Sequence, residues 1–124
     1  MPLLAALDVI WVEDDFIKPP GPKMVVCIAP EPGFFFRINT PRYPVAVSLL
    51  KADNPFLHHD SYLECNGPLE FDDYVIQSYL DRYGGKPFGR VATKVVPAIW
   101  TAVSGSARIS PHDKELSRIG LSIS

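Results

Sequence analysis

Apolar positions in the first half of the chain alternate with polar ones or form short unbroken runs. In the second half they switch to helical spacing. Leu7-Asp8-Val9-Ile10-Trp11-Val12 is apolar and β-branched and predicts a strand. Lys23 to Ala29 is a near-continuous apolar run, the pattern of a strand buried on both faces. Phe34-Phe35-Phe36-Arg37-Ile38-Asn39 predicts a third strand, Val45 to Leu50 a fourth and Ser61 to Cys65 a fifth. Val75, Ile76, Tyr79, Leu80 and Tyr83 then mark one face of a helix, with Gln77, Ser78, Asp81 and Arg82 opposite. Phe88 to Val91 fits a short strand, and Val95, Val96, Ile99, Trp100 and Val103 repeat the helical spacing.

Punctuation sharpens these elements. Asp72 is placed to cap the first helix and Gly84 to end it. Thr93 is the expected cap of the second helix, where Pro97 is tolerable only in the first turn. Ser110-Pro111-His112-Asp113 reads as a third helix start, with a Ser cap, Pro at the first helical position and an acid three residues after the cap. Glu13 to Pro22 and Lys51 to Asp60 are expected loops, because Pro removes the donors a central strand needs. The expected fold is mainly β with C-terminal helices, a small barrel of five to seven short strands forming one domain over residues 1–124.

Composition narrows the function classes. The 124 residues suit one domain with a core of its own. A net charge of -2 and a pI near 5.8 set no global field for nucleic acid, so any RNA contact must rest on local charge. Cys27 and Cys65 lie in apolar runs and read as two buried free thiols. The N-terminus has no basic leader pattern and no apolar run is long enough to span a bilayer, so the expectation is a cytoplasmic protein with no membrane partner.

Val9-Ile10-Trp11-Val12, Gly21-Pro22-Lys23-Met24-Val25-Val26, Asp60-Ser61-Tyr62-Leu63-Glu64-Cys65 and Gly89-Arg90-Val91 follow one another in an order that resembles the plasmid-maintenance toxin family (PemK/MazF-like) over roughly residues 7–104. The resemblance implies an SH3-like barrel and a toxin-antitoxin growth inhibitor, an endoribonuclease that cuts single-stranded RNA without metal or other cofactor. It also implies a homodimer and an antitoxin protein as partner. In that family an arginine near the start of the second strand and a Thr or Ser at the end of the third serve catalysis. Lys23 stands at the arginine's approximate place and Thr40, beside Asn39, near the hydroxyl. Lysine supplies charge for the phosphorane but not a planar fork.

The candidate catalytic residues are therefore Lys23, Thr40 and Asn39, and the candidate RNA-binding residues are Arg37, Arg42, His58 and His59. Imidazole suits acid-base work near neutrality. His58-His59-Asp60 is also the one compact group with metal-ligand chemistry, but no third or fourth ligand is spaced nearby and no metal is expected. The alternative function is a non-catalytic interaction module on the same barrel, binding a protein or peptide through an aromatic groove around Phe34 to Phe36 and Tyr43. Under that reading the same phenylalanines compete with a role as core, Lys23 with a solvated strand edge, and Thr40 with a simple strand exit.

Overall fold

The alternation written into the strands is realised as a sheet covered on both faces. The computed structural model describes residues 3–14, 21–42 and 45–123. Six strands run β1 (Asp8–Asp14), β2 (Gly21–Ala29), β3 (Phe34–Asn39), β4 (Ala46–Leu49), β5 (Ser61–Glu70) and β6 (Gly89–Arg90). Three helices are α1 (Asp73–Arg82), α2 (Val96–Gly105) and α3 (Pro111–Gly120). The strands form one antiparallel sheet in the order β4-β5-β3-β2-β1-β6, curled into a half-barrel. The expected mainly β fold with C-terminal helices is the observed one.

One face of the sheet presents Val9, Val26, Ile28, Phe34, Phe36, Ile38 and Leu63 to Ile99 and Val103 of α2 and to Leu121 after α3. The other presents Ile10, Val12, Val25, Cys27 and Phe35 to Ile76 and Leu80 of α1. Successive strand residues face opposite ways. Three consecutive phenylalanines can therefore all be buried only because helices cover both sides, and Phe34, Phe35 and Phe36 are each fully buried. That burial corrects the expected aromatic groove: the Phe34–Phe36 rings are core, and Tyr43 lies outside the described residues.

The caps follow the sequence closely. Asp72 accepts from the Val75 N–H at 2.8 Å, and Ser110 accepts from the Asp113 N–H at 3.1 Å. Gly84 takes φ +104° beyond α1, a conformation that favours glycine. The second helix differs. Thr93 opens a 3-10 turn (Thr93–Val95), α2 begins at Val96 without a side-chain cap, and Pro97 sits in its first turn.

Strand ends differ as well. β1 carries on through Glu13 and Asp14, and β2 already begins at Gly21, so Pro22 is a strand residue opposite Glu13. Residues 15–20 of the expected loop lie outside the described residues. Pro22 is tolerated because this end of β2 pairs on one side only, with β1. β5 extends to Glu70, past Gly67 and Pro68. Its pairing with β3 jumps from Arg37↔Glu64 to Phe35↔Leu69, so a bulge absorbs the breakers.

Candidate functional site

The pairing of β2 with β3 ends at Val25↔Arg37. Beyond it β2 stays with β1 as far as Gly21, while β3 stays with β5 as far as Asn39↔Tyr62. The sheet splits there, and a pocket of about 230 Å³ occupies the split. Pro22, Lys23 and Met24 line it from β2, and Ile38, Asn39 and Thr40 from β3 and its exit. Its apolar lining is Trp11 together with Met24, Ile38 and Leu57, the last three at the margin of the main core. Its polar lining is Lys23, Asn39, Thr40, His58, His59 and Ser61. The volume falls below the roughly 300–1,000 Å³ of drug-sized ligand sites.

Five of the seven residues singled out from the sequence line this pocket: Lys23, Asn39, Thr40, His58 and His59. Arg37 and Arg42 do not. Arg37 is half-buried in mid-sheet, in register with Val25 on one side and Glu64 on the other. Arg42 is exposed in the bend after β3.

Local structure fixes the orientation of several of these groups. Asn39 is buried, and its amide Nδ2 donates to Glu64 Oε2 at 2.9 Å, which holds the side chain across β3 and β5. His58 and His59 sit in a bend rather than a strand, so two adjacent imidazoles can serve one pocket. His59 Nδ1 lies 3.0 Å from the Asp60 carbonyl oxygen and 3.3 Å from Ser61 Oγ. A carbonyl only accepts, so in this contact Nδ1 is the donor, and the neutral tautomer compatible with it leaves Nε2 as the acceptor. Ser61 Oγ in turn donates to the His59 carbonyl at 3.1 Å, and Asp60 Oδ1 accepts from the Lys51 N–H at 2.8 Å, so the bend is tied at both ends. Below it Asn54 is fully buried. It donates to the Leu50 carbonyl and accepts from the Ala92 N–H, both at 2.9 Å.

Six further lining residues, Trp11, Pro22, Met24, Ile38, Leu57 and Ser61, were not singled out from the sequence. Trp11 reads there only as strand apolar surface, and Ser61 only as the first residue of a strand. The available signal was register: Trp11 pairs with Met24, next to Lys23. Among the described residues no group of three or more His, Cys, Asp or Glu is placed to hold a metal ion. Both cysteines are buried free thiols, and burial pushes each up to about 12. They have no part in the pocket. Among the described residues no helix is long and apolar enough to cross a membrane. Set against known proteins, the chain matches no family model, no curated protein and no solved structure.

Proposed function

We propose that the chain is a toxin-type, metal-independent endoribonuclease that cleaves single-stranded RNA. The observation that carries this reading is the convergence of a lysine, a threonine hydroxyl and two imidazoles on one small pocket where β2 and β3 part. Each group has a task in transesterification. His59, in the neutral tautomer whose Nδ1 donates to the Asp60 carbonyl, takes the proton from the ribose 2′-OH at Nε2. The O2′–P bond forms as the P–O5′ bond breaks, and His58 supplies the proton that the departing 5′-oxygen needs. Lys23 offsets the charge that builds on the phosphorane, and Thr40 donates a hydrogen bond to it. The products are a 2′,3′-cyclic phosphate and a 5′-hydroxyl.

On this reading Asn39 positions rather than reacts, because its amide is engaged by Glu64. The resemblance to the toxin family supports the same chemistry and adds a homodimer and an antitoxin as partners. Lys23→Ala is expected to abolish both RNA cleavage and growth inhibition on expression; unchanged cleavage would overturn the assignment. Sedimentation at twice the chain mass is expected of the active form, and activity at monomer mass would remove the dimer from the proposal.

A further inference from the structure

Four aromatic rings form a row, Tyr83–Trp11–Phe88–Phe56, of which Trp11 lines the pocket. Trp11 lies 6.5 Å from Tyr83 and 5.4 Å from Phe88 by ring centroids, and Phe88 lies 6.4 Å from Phe56. The Trp11 and Phe88 rings meet edge to face, with 68° between their planes. Phe88 is 45% exposed, while its backbone N–H is fixed to the Val9 carbonyl at 2.8 Å. The neighbouring Gly89 is required for this packing, since a Cβ there would lie 2.6 Å from Phe56 Cγ. Phe88 is thus an exposed ring packed on Trp11, which itself lines the pocket, and it has surface that the core does not use.

The local charge says what would cover it. The segment from Lys86 to Lys94 carries Lys86, Arg90 and Lys94 and no acid, in a chain whose net charge is -2. Arg90 pairs with Asp8 and Lys94 with Asp53, yet their side chains stay 52% and 66% exposed. Cations interleaved with an open aromatic face are the means by which proteins hold single-stranded nucleic acid: the base stacks and the backbone phosphate meets the charge.

We infer that Trp11 and Phe88 form a stacking platform for the unpaired base next to the phosphate held in the pocket. This rests on the pocket's being an RNA site, but binding and cleavage can be separated. The probe is a short oligothymidylate, which lacks the 2′-OH and cannot be cut, alongside an abasic strand with the same phosphates. Emission of Trp11 is the readout, assigned with Trp11→Phe, which leaves Trp100 as the other indole. The oligothymidylate is expected to quench Trp11, and the abasic strand to bind about tenfold or more weaker. Phe88→Ala is expected to lose about the same factor, and Phe88→Trp to restore it. Equal binding of the two strands, no binding of either, or unchanged affinity in Phe88→Ala would overturn the platform. If RNA is not cleaved but Phe88-dependent quenching persists, the platform stands and the catalytic reading falls.

Discussion

His59 illustrates how much a single side chain depends on its neighbours. Its Nδ1 lies 3.0 Å from the Asp60 carbonyl oxygen, a contact compatible with the neutral tautomer that the proposed general base requires, with Nε2 as acceptor. Replacement of His59 by Ala is therefore expected to lower the cleavage rate by about 10²–10⁴-fold, measured on a short single-stranded RNA at saturating substrate. Asn54 works differently. It is fully buried, accepts from the Ala92 N–H and donates to the Leu50 carbonyl, which also accepts from the Asp53 and Asn54 N–H groups. Asn54→Ala leaves both groups without that partner and is expected to destabilise the fold by about 1–3 kcal/mol in urea denaturation. The cysteines supply a pH prediction. Burial pushes the Cys27 and Cys65 thiols up to about 12 in the native protein, from an ordinary value of 9.0. Between those values the native state binds more protons than the unfolded one, so stability falls as pH rises through that window. Iodoacetamide near neutral pH should leave both thiols unmodified in the native protein and alkylate both in denaturant.

At the scale of elements, the helices were the most legible part of the sequence. Asp72 and Ser110 cap as their spacing predicts, because capping depends on residues three apart in the chain and on nothing distant. Strand ends were less legible. Pro22 and Pro68 look like breakers, and both lie within strands. The first is tolerated where β2 has lost β3 as a neighbour, and the second inside the β5 bulge. Both conditions are tertiary and cannot be read locally. Close approaches between elements are equally hidden. Gly33 has φ +71°, and a Cβ there would lie 1.9 Å from the Phe71 carbonyl oxygen. Its own carbonyl accepts from the Phe71 N–H at 2.9 Å, which joins the turn before β3 to the end of β5. Gly33→Ala is expected to lower the melting temperature by an amount equivalent to more than about 1 kcal/mol, since both strain and a backbone clash oppose it. A change within error would contradict that close approach.

For the whole molecule, the sequence order of strands and helices was enough to indicate a small mainly β fold, because hydrophobic period and turn chemistry agree along most of the chain. The pocket was only partly legible. Lys23, Asn39, Thr40, His58 and His59 stand out by residue type, but what brings them together is the parting of β2 from β3, a property of register. Trp11 was missed for the same reason. The acidic net charge of -2 argues against a dedicated RNA-binding surface over the whole molecule, so the proposed function requires RNA contact to rest on local cations, Lys23 and the stretch from Lys86 to Lys94. Phosphate contacts of this limited number predict RNA affinity that falls with added salt, but with a shallow slope. The most direct single measurement is the chemistry of the cut ends. Wild-type protein, Lys23→Ala and His59→Ala would be incubated with a long single-stranded RNA in excess chelator, and the products analysed for 5′-hydroxyl and 2′,3′-cyclic phosphate termini. Chelator-resistant cleavage with those termini, lost in both variants, is the predicted result. No cleavage by the wild type at high concentration, or equal cleavage by all three proteins, would contradict an RNA-cutting site in this pocket.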